Sequence, residues 1–161
     1  MKPATHLFTL GYEGLEVRQF IEKLVKAGVR TVIDVRELPL SRKAGFSKRA
    51  LADRLRAAGI DYQHASALGC PKPIRQRYKV DGDWKRYTRE FNAYLATQAE
   101  DVAKLARTAR ATTSCLICFE ADFRLCHRSY VARAAALAGA PAVAHLTATA
   151  TIADQHLAVA A

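Results

Sequence analysis

The chain has 161 residues, half of them apolar, a size and composition that suit one domain with a buried core. No apolar run approaches the roughly 20 residues that cross a bilayer, and Met1-Lys-Pro-Ala-Thr-His-Leu-Phe8 lacks the apolar stretch of a secretory signal. A soluble, cytoplasmic protein with no membrane partner is expected. The net charge of +10, from 25 Lys plus Arg against 15 Asp plus Glu, favours anionic partners. A solvated basic surface would give the same count. The excess is concentrated in two stretches, Arg36 to Arg49 and Lys72 to Arg89, and beyond Arg133 the only charged residue is Asp154.

Leu7-Phe-Thr-Leu10 reads as a short buried strand running into Gly11 and the loop Tyr12-Glu-Gly14. Val17, Phe20, Ile21, Leu24 and Val25 then recur at helical spacing, with Gly28 placed as a C-cap. Thr31-Val-Ile-Asp-Val35 is a β-branched run, so the opening is a βαβ unit with a parallel pair and a right-handed crossover. Ser47 suits the N-cap of a helix from Lys48 to Ala58, followed by a strand over Ile60 to His64. Leu68 to Pro73 reads as a turn-rich loop and Trp84 to Leu105 as mostly helical. Ser114 to Phe119 is the next strand, Glu120 to Leu125 a loop, and Cys126 or His127 opens a helix that reaches Leu137. Ala142 to Leu146 is a last strand, and the Ala- and Thr-rich tail is expected to be loosely ordered. The alternation predicts an α/β fold: a single domain with a mostly parallel central sheet flanked by helices, residues 141–161 adding a C-terminal strand and tail to the body formed by 1–140.

In parallel sheets, sites form beyond the C-terminal strand ends, and three loops there carry unusual polar residues. The first holds Tyr12 and Glu13. The second holds Asp34 and Arg36, then Ser41, Arg42, Lys43 and Phe46. The third holds Glu120, Asp122, Cys126, His127 and Arg128. Convergence of these groups on one sheet edge is the main inference from the residues themselves. A thiol at Cys126, at a helix start beside His127 and Arg128, has the setting of a lowered pKa, although a buried packing thiol fits the position too. Asp34 and Glu120 have the placement of acid–base groups, or of anchors for the arginines. Arg128 suits an ion pair or an oxyanion.

The four cysteines, Cys70, Cys115, Cys118 and Cys126, do not form a disulfide framework and are expected to be reduced. Cys115 and Cys118 fall on opposite faces of an extended strand, and no second CxxC or histidine pair completes a tetrahedral set. No metal and no cofactor is therefore expected. His6, His145 and His156 carry no reading. Between Tyr78 and Tyr94, basic residues alternate with Trp84, Tyr87 and Phe91, a mixture that suits base stacking but also an ordinary helical core stripe.

Thr9-Leu-Gly-Tyr-Glu-Gly14, Asp34-Val-Arg36 with Pro39 and Ser41, Gly45-Phe-Ser-Lys48, Gly59-Ile-x-Tyr62, Leu68-Gly69 and Cys118-x-Glu120 followed by Cys126-His-Arg128 together resemble the DUF488 family. The resemblance spans residues 7 to 138. It implies an α/β domain with a site drawn from Tyr12, Asp34, Arg36, Ser41, Phe46, Glu120, Cys126, His127 and Arg128. A weaker likeness, carried by Val32-Ile-Asp-Val-Arg-Glu37 and the helix from Arg128, is to rhodanese domains. There Cys118 would take the strand-end place of the nucleophile, although the following loop lacks glycine.

Three readings follow. In the first, the protein binds or acts on a nucleotide, a nucleic-acid component or another anionic ligand. Arg36 and Arg128, with Tyr12, Ser41 and Phe46, would hold the ligand; Cys126, Asp34, Glu120 and His127 would do the chemistry. The second is a non-catalytic nucleic-acid-binding module. The third is a cysteine-dependent sulfur-transfer or hydrolase-like enzyme of rhodanese kind.

Overall fold

The computed structural model describes residues 3–155. Strands β1 (Leu7–Gly11), β2 (Thr31–Asp34), β3 (Asp61–His64), β4 (Ser114–Cys118), β5 (Val143–Leu146) and β6 (Thr151–Ala153) form one sheet in the order β3-β2-β4-β1-β5-β6. All neighbours pair in parallel except β6, which runs antiparallel to β5. Helices α1 (Val17–Lys26), α2 (Lys48–Ala57), α3 (Lys72–Asp81), α4 (Trp84–Ala96), α5 (Ala99–Ala111) and α6 (His127–Leu137) cover the two faces. This is an α/β fold with a mostly parallel sheet. No helix among the described residues is long and apolar enough to cross a membrane.

The chain steps outward from β1 to β2 and β3, then returns to insert β4 between β1 and β2. Right-handed crossovers in opposite directions put their helices on opposite faces. Accordingly α1 and α2 pack one side through Phe20, Leu24, Leu51 and Leu55, while α3 to α6 pack the other through Ile74, Phe91, Leu105 and Val131. Being covered on both faces, β1, β2 and β4 are buried at every position, which is why they read as near-continuous apolar runs. Burying a Phe such as Phe20 or Phe91, both fully inaccessible, contributes roughly 1.5–3 kcal/mol.

Two expectations need correction. The stretch read as a turn-rich loop contains the start of α3: Pro73 lies in its first turn, where a missing N–H costs nothing, and Gly82 closes it in the left-handed region at φ 61°. The mostly helical stretch over 84–105 consists of two helices, α4 ending at Thr97, whose hydroxyl donates to the Tyr94 carbonyl at 2.6 Å. The tail is ordered as far as the described residues go, with β6 on the sheet edge; residues 156–161, including His156, lie outside them.

What pins β6 is a buried polar chain that the sequence gives no reason to expect. His145 on β5 places Nδ1 2.7 Å from Thr9 Oγ1 and Nε2 3.0 Å from Asp154 Oδ1, and its ring stacks on Phe123 at 4.0 Å. Asp154 in turn accepts from Arg133 of α6, at 3.0 Å from Nε and 2.9 Å from Nη2. Asp154→Ala strands both partners and is expected to cost roughly 2–4 kcal/mol in urea unfolding. Asp53→Ala, which removes an exposed pair with Arg56 on α2, is expected to stay within about 0.5 kcal/mol of the parent.

Candidate functional site

The parallel order puts the C-terminal ends of β2, β4 and β1 side by side, and the three polar loops open on that edge. The first loop is stapled to the third. Tyr12 and Glu13 donate their N–H groups to the Cys118 and Phe119 carbonyls at 3.1 and 2.8 Å, and Glu13 Oε1 accepts from the Ala121 N–H at 3.0 Å. The approach is close enough that a Cβ on Gly11 would overlap the Glu120 carbonyl oxygen. That explains glycine at a strand end whose backbone is not left-handed. From beneath, the fully buried Arg128 donates to the Glu120 carbonyl at 2.5 Å and the Ala121 carbonyl at 3.4 Å, leaving its Nε without a partner. Arg128 thus holds a loop and does not line a cavity.

In the second loop Asp34 and Arg36 engage one another. Asp34 Oδ1 accepts from Arg36 Nε at 2.9 Å and from its backbone N–H at 3.1 Å; Oδ2 accepts from Arg36 Nη2 at 2.7 Å and from the Tyr62 hydroxyl at 2.6 Å. Arg36 Nη1 donates to the Phe46 carbonyl at 2.6 Å and approaches the Tyr12 hydroxyl at 3.4 Å. Burial works against the Arg36 charge, but Asp34 more than offsets it and the guanidinium pKa rises. Burial and the bond to Asp34 likewise push the Tyr62 phenol well above its ordinary value. Phe46 is fully buried and stacks on Tyr12 at 4.2 Å, so it is part of the core beneath the site. The Ser47 hydroxyl does not cap α2: it accepts the Ser41 N–H and donates to the Ser41 carbonyl, both at 3.1 Å, closing the loop on itself. Ser41 Oγ accepts from the Lys43 N–H at 3.1 Å.

The third loop brings chemistry together. Strand alternation sends Cys115 and Ile117 to the α1–α2 face, leaving Cys118 on the other, at the mouth of α6. Cys126 is the N-cap residue of α6 and His127 its first residue. Cys118 Sγ and Cys126 Sγ lie 3.8 and 3.9 Å from His127 Nδ1, and 3.3 and 3.4 Å from Glu120 Oε2. His127 Nε2 is 2.7 Å from the Val35 carbonyl, which only accepts; this carbonyl fixes the ring with a proton on Nε2 and turns Nδ1 toward the sulfurs. Burial opposes ionisation of Cys126, but the Cys118 thiol, Arg128 and His127 outweigh it and hold its pKa well below the ordinary thiol value. The hydrogen bond to Cys126, then burial, pushes Cys118 up. Burial and the neighbouring thiolate raise Glu120. Burial disfavours charge on His127, yet the bond to Cys126 prevails and raises it. The two shifts run in the direction that favours charge on both Cys126 and His127.

A cavity of about 720 Å³ opens onto Cys118, Glu120 and His127. Tyr12, Arg36 and Ser41 line it as well, whereas Asp34, Phe46, Cys126 and Arg128 do not. Its far wall comes from the helices after the second loop. Trp84 stacks on Tyr87 at 4.7 Å and Tyr78 meets Trp84 edge-on at 5.5 Å. Arg42, Arg75 and Lys79 complete it, Arg75 being paired with Glu37 at 2.6 Å. A larger depression, about 880 Å³, lies beside β6, but its charged side chains are engaged with each other, Arg133 with Asp154 and Arg124 with Asp122.

The family model described as "Domain of unknown function DUF488" matches residues 16–135. The chain belongs to the DUF488 family. No curated protein and no solved structure matches it. The part of this DUF488 protein that matches includes Asp34, Arg36, Ser41, Phe46, Glu120 and the run Cys126-His-Arg128; Tyr12 precedes it. Tyr78 and Lys79 belong to α3, within the basic and aromatic stretch that suits base stacking but that the sequence does not place at this edge. The rhodanese likeness gives Cys118 the strand-end place of a nucleophile, and its contact with His127 and its place beside Cys126 come from the tertiary structure.

Gly11→Ala is expected to lower stability by about 2 kcal/mol or more, because backbone must move, and to loosen the 119–121 loop, read as faster amide exchange at Ala121. Asp34→Asn leaves the buried Arg36 without its counter-charge and is expected to cost about 3–5 kcal/mol. Tyr62→Phe, which removes a single hydrogen bond to the same carboxylate, is expected to cost about 1 kcal/mol; urea midpoints of the two variants check the ranking.

Proposed function

We propose that the cavity at this sheet edge binds an anionic ligand with a flat ring, a nucleotide or nucleic-acid component, and presents it to the cysteine–histidine–glutamate cluster. The observation that carries this reading is the pairing of two uncommitted cations with an aromatic wall in one cavity. Arg42 and Lys79 are exposed, line the cavity and have no ion-pair partner among the described residues. In the same lining the half-buried Trp84 and Tyr78 offer ring faces and edges. Stacking on such side chains contributes about 1–3 kcal/mol per base, and a phosphate adds charge-assisted hydrogen bonds.

The same geometry shifts the anion-binding role away from Arg36 and Arg128. Both guanidiniums are spent on the loops, and an anion competing for them would have to dismantle those loops. Cys118, Glu120 and His127 line the cavity and Cys126 does not, so a ligand there meets those three first. The sulfur-transfer reading has less behind it. The neighbours of the Cys118 sulfur are a thiol, an imidazole and a carboxylate, not the cradle of backbone N–H groups that would hold a persulfide.

Trp84 is the chain's one tryptophan, so its fluorescence reports directly on the cavity. Titration with nucleoside monophosphates is expected to give saturable quenching, about 10-fold weaker for the nucleosides, a loss of about 1.4 kcal/mol. Arg42→Ala with Lys79→Ala is expected to abolish that difference. No saturable response to any mononucleotide or short oligonucleotide would exclude the reading. Oligonucleotide binding with a steep salt slope and indifference to Trp84→Leu would transfer the function to the basic surface.

A further inference from the structure

We propose that Cys118, Cys126 and His127, with Glu120 as the fourth donor, form a binding site for one divalent transition-metal ion of the zinc class. The sequence puts Cys115, Cys118, Cys126 and His127 close together but argues against a metal site, because the one CxxC spacing joins residues on opposite faces of β4. The fold discards Cys115 and supplies replacements from a different element. Sγ of Cys118 ends a strand, and Sγ of Cys126 and Nδ1 of His127 begin a helix. These three donor atoms all lie within 4.8 Å of one another, and all three residues are buried.

The spacing is that of a coordination shell. With metal–sulfur bonds of about 2.3 Å and metal–nitrogen or metal–oxygen bonds of about 2.0–2.2 Å, tetrahedral geometry puts sulfur about 3.6 Å from either. The two sulfurs stand 3.8 and 3.9 Å from Nδ1 and 3.3 and 3.4 Å from Glu120 Oε2. Cys118, Cys126 and His127 need only small movements to close on an ion, whereas Glu120, outside the group of donors within 4.8 Å of one another, must swing its carboxylate toward Nδ1 to complete the shell.

Two further features belong to metal sites more than to packed thiols. The other ring nitrogen of His127 is held by the Val35 carbonyl at 2.7 Å, the outer hydrogen bond that orients a ligating imidazole. With the Nε2 proton held by that carbonyl, the Nδ1 lone pair is the one turned toward the ion. Arg128 is fully buried, and its hydrogen-bond partners among the described residues are carbonyls, with no carboxylate. Two thiolates and a carboxylate around a dication leave one negative charge, which the Arg128 guanidinium neutralises within the same buried region. Two sulfurs and an imidazole select zinc-class ions over magnesium or calcium. Glu120, the half-buried member at the cavity edge, is the donor that a ligand in the cavity would displace.

The site stands on the donor set alone, whether or not a nucleotide enters the cavity. The full-length reduced protein is titrated with Co²⁺ as the probe. One equivalent is expected to give the visible ligand-field bands of a tetrahedral ion with near-ultraviolet sulfur-to-cobalt charge transfer, erased by Zn²⁺. Cys118→Ser and Cys126→Ser are each expected to weaken Co²⁺ binding by at least roughly 100-fold, while Cys115→Ser and Cys70→Ser keep the spectrum. Because a serine variant could unfold, circular dichroism accompanies each titration. In the unmutated protein, Zn²⁺ is also expected to slow alkylation of Cys118 and Cys126 but not of Cys70 or Cys115. A folded, reduced parent without these bands overturns the site, as do bands that survive both serine variants. The Trp84 titration is run on metal-free and Co²⁺-loaded protein, so that failure of nucleotide binding and failure of metal binding are read separately.

Discussion

The buried guanidinium of Arg128 is the interaction on which the rest of the site rests. A fully inaccessible charge needs partners, and the nearest acceptors on offer are the carbonyls of Glu120 and Ala121. Satisfying Arg128 draws that loop down onto the end of β1, where only Gly11 leaves room for the Glu120 carbonyl. Once the loop is down, Glu13 and the Tyr12 and Glu13 N–H groups close it from the other side. The Glu120 side chain then has little choice but to meet the two sulfurs. One arginine thus couples the α6 start, the β4 end and the β1 end, and its charge also favours thiolate at Cys126.

The second loop shows the same economy with a different pair. Asp34 occupies the end of a strand buried at every position, where an isolated carboxylate is costly. Arg36 supplies the counter-charge from two residues on, and Tyr62 from β3 fills the remaining lone pair. The pair then reaches across to the Phe46 carbonyl, so the 36–47 loop hangs from it. The dyad whose carboxylate has the placement of an acid–base group in the sequence is bonded within itself, to Tyr62 and to the Phe46 carbonyl at the cavity rim. Arg42 sits on the exposed part of this loop, and Lys79 is exposed on α3.

Much of the fold was legible because its signals are local. Buried parallel strands announce themselves as apolar β-branched runs, and the helices of the outer layers by their spacing and by Gly28 at a C′ position. The elements that escaped were those whose signals are weak or depend on partners. The α3 helix carries few apolar residues, with Ile74 the one buried side chain on it. The β6 strand is exposed throughout and is held by the polar chain through Asp154, His145 and Arg133 rather than by burial.

By itself the sequence determined the α/β class, the family and the three loops that carry polar side chains, since each depends on short-range pattern. What only the tertiary structure decided was how those side chains are spent. Arg36 and Arg128 turned inward, Phe46 entered the core, and Cys118 left Cys115 to join Cys126 and His127. Such choices depend on which strand lies beside which. The insertion of β4 between β1 and β2, fixed by the packing of two helical layers, is information that no local spacing contains.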